Sequence, residues 1–246
     1  MSPLGTHLGI LAQSAAGGGN LINTNSIEIN GSTFTNTGIR GNGGGGNPTT
    51  FTYSCWFKMP SAVSTTVGLF NINLDPGGGF FSVAFQNPYL LMENRTAEGG
   101  PPATIYRDQV YTPSAGGFRD DAWHHLAIHC DNYTTDAGDF AIIVDGTDIT
   151  QGLRDNNKPT AWSYNGTDTL YLGGTVTGAR IAQLAYFDSI VAASTLYNGG
   201  TPGDLSTLSN PPVEWYQFVN NLNNDGSSGT NGTLSAGTPS FSTDHP

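Results

Sequence analysis

Over most of its length this chain alternates apolar and polar residues with a period of two, the pattern of strands that bury one face. Phe51-Thr52-Tyr53-Ser54-Cys55-Trp56-Phe57-Lys58 follows this period and is rich in aromatic residues. Further strands are expected at 26–30, 67–71, 80–86, 89–94, 104–110, 123–130, 140–144, 170–174, 180–187 and 213–218. The segments 67–71 and 80–86 read as a hairpin around Asp75-Pro76-Gly77-Gly78, and Asp145-Gly146 closes 140–144 as a tight turn. The period lengthens only at 189–197, which predicts one short helix stopped by Asn198-Gly199-Gly200. The stretch 223–237, rich in Asn, Gly and Ser, reads as loop. Many short strands, frequent turn signals and one helix give an all-β fold, a two-sheet antiparallel sandwich or jelly roll.

Two domain-level expectations follow. Residues 1–25 form an N-terminal arm, Ala/Gly/Asn-rich around the apolar knot Leu8-Gly9-Ile10-Leu11, and 26–246 form one sandwich domain. Seven residues, Phe57, Trp123, Leu126, Ile142, Val144, Leu172 and Leu184, are expected in its core.

Composition narrows the function. Charged residues make up only 11% and Gly numbers 34, which suits turns better than ion-paired helices. Net charge is −11, and the lysines are two, Lys58 and Lys158. A nucleic-acid binder needs clustered Lys and Arg to displace counterions, so nucleic acid is not an expected partner. The same charge argues against an anionic membrane surface. The opening residues carry no basic segment followed by a long apolar run, so no secretory signal is read there. Cys55 and Cys130 lie in apolar strand segments and are expected as two buried free thiols.

Four segments, in order, resemble the laminin G-like jelly rolls of the concanavalin A-like superfamily. They are the aromatic strand 51–58 followed by Pro60; Asp121-Ala122-Trp123-His124-His125-Leu126-Ala127-Ile128 closed by Asp131; the hairpin Ile142-Ile143-Val144-Asp145-Gly146; and Leu170-Tyr171-Leu172-Gly173-Gly174 with 178–187 and the stop Leu196-Tyr197-Asn198-Gly199-Gly200. The opening Leu8-Gly9-Ile10-Leu11 and the trailing Asn224-Asp225-Gly226-Ser227 resemble structural proteins of tailed bacteriophages. The first resemblance implies a jelly roll that binds glycans, proteins or lipids, in a family that also contains glycosidases, so fold alone does not fix activity.

The candidate chemistry is sparse. Glycoside hydrolysis needs two carboxyls at a set separation. The chain has four glutamates, Glu28, Glu93, Glu98 and Glu214, none with an acidic neighbour two or four residues away. Glu93 and Glu98 fall on opposite faces of an extended strand. His125 and His129 share a strand face with Trp123, while His124 points the other way. No nearby residue completes a zinc set, so these histidines are read as structural. By resemblance, the loop after 123–130 is where relatives hold calcium, and Asp131, Asp136 and Asp139 are its candidate ligands here. The same residues are ordinary turn formers. Trp162 and Tyr164, in a polar stretch between strands, are candidates for stacking on a sugar, or for a lid over the core.

The expected function is a non-enzymatic structural component of a phage virion, a capsid decoration or tail-associated protein, made in the host cytoplasm. Its partners would be other virion proteins, docked through Leu8, Ile10 and Leu11, further copies of itself, and a host surface glycan. No cofactor is expected beyond the calcium candidate. The alternatives are a free carbohydrate-binding lectin and, behind it, a glycoside hydrolase.

Overall fold

The computed structural model describes residues 25–30, 33–35, 49–62, 66–73, 80–86, 89–98, 104–111, 115–131, 140–150, 169–172, 175–229 and 231–246. Strands β1 (Ser26–Asn30), β2 (Thr33–Thr35), β3 (Phe51–Lys58), β4 (Val67–Asn73), β5 (Phe80–Gln86), β6 (Tyr89–Glu98), β7 (Thr104–Tyr111), β8 (Trp123–Cys130), β9 (Phe140–Val144), β10 (Thr147–Asp148), β11 (Thr169–Tyr171), β12 (Thr175–Phe187), β13 (Glu214–Tyr216), β14 (Thr233–Ala236) and β15 (Phe241–Ser242) make two sheets. One sheet runs β10-β9-β8-β3-β12-β1-β15, with β13 continuing the β1 side of β12. The other runs β14-β2-β11-β4-β5-β6-β7. Every described ladder is antiparallel. The expected two-sheet antiparallel sandwich is therefore present.

Alternation builds the core between the sheets. Phe51, Tyr53, Cys55 and Phe57 of β3 point inward, as do Leu126, Ile128 and Cys130 of β8, and they meet Val83, Phe85, Leu90 and Met92 of the opposite sheet. Phe51, Tyr53, Phe140 and Tyr186 pack edge-on or offset at centroid distances of 5.1–6.3 Å. Such geometries suit the ring quadrupoles. The two thiols are free and buried. In the β3–β8 register Cys55 faces Leu126 and Cys130 faces Phe51. Four residues of strand, about 13 Å, separate them along the sheet, too far for a disulfide.

β12 carries a correction to simple alternation. Before Gln183 the inward residues are Ala179 and Ile181; after it they are Leu184 and Tyr186. An extra residue sits between Ala182, opposite Trp56, and Ala185, opposite Ser54. Gln183 is that bulge: its φ is +48°, and its buried amide donates to the Gly203 carbonyl at 3.0 Å. The bulge shifts the phase by one, so that apolar residues on both sides of it reach the core.

The outer face of the β3–β8–β12 sheet is also covered. Ala127, Ile143, Ala185 and Phe187 from the sheet pack beneath Ala193, Leu196, Leu205 and Trp215. The cover contains α1 (Ala193–Tyr197), shorter than the expected 189–197, which ends as expected at Asn198 in the left-handed region. Core expectations hold for Phe57, Leu126, Ile142, Val144, Leu172 and Leu184, all buried. Trp123 differs: it is half-buried, because its parity puts it on the outer face. The expected loop 223–237 also differs, since Thr233–Ala236 pairs with β2, and Asn224 bridges to Tyr216. Beyond it, Phe241–Ser242 adds to the edge of β1. No helix among the described residues is long and apolar enough to cross a membrane.

Candidate functional site

Four polar clusters stand out, all on the β3–β8–β12 sheet or the segments that flank it. The first begins at the left-handed turn Asp145-Gly146, with φ values of +50° and +76°. That turn brings Asp145 back beside the start of β8. Its Oδ2 lies 2.7 Å from His124 Nδ1, and its Oδ1 accepts the His125 backbone N–H at 2.8 Å. Asp120 Oδ1 lies 3.1 Å from His124 Nε2. The imidazole is thus held at both nitrogens by carboxylates, between Phe57 and Phe118. The Asp145 hydrogen bond, joined by that to Asp120 and by the charge of both carboxylates, raises the His124 pKa against the opposing effect of burial. Burial works against the ionised Asp145 as well, but His124 and the His125 N–H together hold it below the ordinary carboxylate range. Once protonated, His124 donates from both nitrogens to these carboxylates and keeps no lone pair for a metal.

The second cluster lies on the opposite face of β8. Ser54 Oγ and His125 Nε2 are 2.9 Å apart, both residues buried. Burial pushes the His125 pKa down to about 4, so the ring is neutral at pH 7. A hydroxyl beside a neutral imidazole is the elementary nucleophile–base pair. Here the Trp56 and Tyr197 rings flank the imidazole at centroid distances of 5.1 and 6.2 Å, and both members of the pair are buried.

The third surrounds Glu214, 1% exposed on β13. Its carboxylate accepts from Asn224 Nδ2 and is also hydrogen-bonded to Ser228. Burial pushes its pKa up to about 7, against the lowering effect of those two partners. Asn224 is the organiser: its Oδ1 accepts the Trp215 and Gly226 backbone N–H groups, each at 2.8 Å. Gly226 fits only because it lacks a side chain. A Cβ there would lie 2.3 Å from the Val213 carbonyl oxygen.

The fourth is built across three neighbouring strands. Lys58, Arg180 and Trp123 stand side by side in register on β3, β12 and β8. All three donate to one carboxylate, that of Asp244: Lys58 Nζ at 2.9 Å, Arg180 Nη1 at 3.1 Å and the Trp123 indole N–H at 3.0 Å. Burial works against the ionised Asp244, but the hydrogen bonds from Lys58 and Trp123 and the charges of Lys58 and Arg180 together outweigh it and lower its pKa overall.

A laminin G-type profile, described as the concanavalin A-like lectin/glucanases superfamily, matches residues 35–199, well over half the chain. The chain belongs to this concanavalin A-like superfamily. Among solved structures, a Bacteroides ovatus ATCC 8483 protein proposed to bind carbohydrate superposes with a TM-score of 0.50 at 14% identity, over 89% of this chain and 60% of that one. Domains LG4-5 of the mouse laminin alpha1 chain give a TM-score of 0.44 at 13% identity, over 76% of this chain and 47% of theirs. The concanavalin A-like chain therefore spans less than two thirds of either protein, and the shared property is the fold. No curated protein sequence matches it.

The expected site residues fare unevenly. Asp131 is exposed just after β8, and no group of three or more metal-ligating side chains forms among the described residues. Asp136, Asp139, Trp162, Tyr164, Leu8, Ile10 and Leu11 lie outside the described residues. The opposite facing of His124 and His125 holds, as their separate clusters show. Sequence reasoning missed the Asp244 and Glu214 clusters. Asp244 reaches Lys58 across 186 residues of chain, for which no local pattern exists.

Proposed function

We propose that this chain is a non-enzymatic structural and recognition module: a bacteriophage virion component, decorating the capsid or joined to the tail, whose jelly roll faces outward to host-surface glycans. The observation that carries this reading is how the reactive groups of the described residues are used. His124 is tied at both nitrogens, Ser54 and His125 are buried and hydrogen-bonded to each other with the Trp56 and Tyr197 rings beside the imidazole, and Glu214 is tied to Asn224 and Ser228. Each is spent on internal order, which suits a rigid scaffold that presents loops. The acidic, lysine-poor surface favours solubility at high local concentration, as an assembled particle requires. The Leu8-Gly9-Ile10-Leu11 knot supplies an apolar docking element on a glycine-rich lead, suited to strand addition or groove insertion on a partner.

The test is a truncation beginning at Asn20, compared with the full chain by sedimentation and electron microscopy. The truncated protein should fold and remain soluble but lose incorporation into particles or multimers. Equal assembly by both forms refutes the docking role. A full chain that stays monomeric yet binds glycans on an array supports the free-lectin alternative, which the superfamily membership favours.

A further inference from the structure

Only eight Lys and Arg residues offset nineteen Asp and Glu in this chain. Two of the eight, Lys58 and Arg180, stand side by side on the outer face, with the Trp123 indole N–H next in the row. A planar guanidinium, a point-charge ammonium and an indole donor aimed at one carboxylate from three rigid strands form a built receptor. In the structure it is occupied: the Asp244 carboxylate takes all three donors. The surrounding contacts fix that occupant. Arg180 Nη1 also donates to Ser242 Oγ, the Asp244 N–H donates to the same Oγ at 3.1 Å, and Ser26 Oγ donates to the Asp244 carbonyl at 2.5 Å. Glu28, in register beside Arg180 on β1, is turned to the Gly178 N–H at 3.3 Å.

We infer that Lys58, Arg180 and Trp123 form a carboxylate-binding site for an acidic sugar, and that Asp244 is an internal competitor seated in it. The inference rests on the glycan-facing reading above and gives that reading a ligand class. The site is reachable from solvent: the Asp244 side chain is 36% exposed, and Lys58 and Arg180 are 23% and 21% exposed. A pyranose carboxylate needs only the Asp244 side chain to swing aside. The half-buried Trp123 ring flanks the carboxylate, where a sugar ring can lie against it. The internal carboxylate competes at a high effective concentration, so wild-type affinity for a single sugar is weak and rises with multivalent display.

The experiment is chemical rescue in the full chain. Asp244→Ala should lower the melting temperature, and acetate or D-glucuronate should restore it by a few degrees, with glucuronate effective at lower concentration. Sodium chloride at equal ionic strength and neutral glucose should not. If neither carboxylate rescues, the site is refuted; if acetate equals or exceeds glucuronate, the sugar assignment is refuted. Should Asp244→Ala fail to fold, the Trp123 indole N–H resonance of the wild-type chain gives the answer. It should shift on titration with glucuronate and stay still with glucose, and an unmoved resonance at saturating glucuronate refutes the inference. Neither readout depends on particle assembly or on glycan arrays, so its failure is distinct from failure of the wider reading.

Discussion

At the residue scale, two buried ionisable groups act on stability with opposite sign. Glu214 has an ordinary value of 4.5 and is raised to about 7, so the folded state holds a proton that the unfolded chain releases. Its contribution is greatest below 4.5 and is lost as pH rises through 7, a swing of roughly 3 kcal/mol. His125 is lowered from 6.5 to about 4, so the unfolded chain takes up a proton first and stability falls as pH drops through that interval. A single pH curve mixes the two. Glu214→Gln separates them: the variant should match wild type at acidic pH and exceed it above 7, measured as denaturant midpoints at both ends. Equal differences at all pH values would show that the fold does not raise the Glu214 pKa. The His124 clamp has its own window. Asp145, lowered, stabilises above 3.8 and fails as pH falls through its folded value; His124, raised, stabilises below 6.5 and fails as pH rises through its own. Asp145→Asn keeps a residue that tolerates the left-handed turn. It should cost about 1–3 kcal/mol midway through that window and less outside it, since bonds to charged groups carry that weight. A flat loss across pH would assign the effect to the turn alone.

At the element scale, the segment after β13 behaves as a folded unit despite its loop-like composition. Gly226→Ala would drive a methyl group into the Val213 carbonyl and the Glu214 Cα, both backbone atoms that cannot step aside. The expected result is a large loss of stability, above 3 kcal/mol by the order of overpacked sites. Gly117→Ala meets no atom within 4 Å and should be near neutral. Thermal melts of the pair check both outcomes. These elements also mark where sequence was legible. Long alternating runs such as 51–58 and 123–130 were read at their true bounds, because burial of one face leaves a period of two. Thr233–Ala236 and Phe241–Ser242 were not, since pairing at a sheet edge needs only backbone groups and leaves little apolar signature. The outer cover escaped notice for a related reason. Its apolar residues, Ala193, Leu196, Leu205 and Trp215, are scattered singly, while Thr52, Ser54 and Trp56 beneath look like a solvent face. The Gln183 bulge hid within an apolar run that reads the same in either phase.

At the scale of the molecule, β3 is the most enclosed strand, flanked by β8 and β12 and packed on both faces. Its backbone amides should therefore exchange with deuterium only on global unfolding, while those of β10 and β15 exchange by local fraying. Exchange of β3 as fast as β10 would contradict the two-sided cover. The connectivity around β1 has a further result, in the order of events as the chain is made. Ser26 emerges early, yet its pairing partner is Ser242, and its hydroxyl bonds Asp244, 218 residues later. β3 likewise waits for β8 and then β12. Contacts this distant in sequence make closure slow, because loop entropy is lost before the contacts form. A ribosome that has translated only to β11 holds a sheet whose central strand lacks β12, and whose first strand lacks both neighbours. The nascent chain must stay soluble in that half-built condition. Its net charge of −11 makes such an intermediate repel its neighbours on the same message, which works against edge-to-edge pairing.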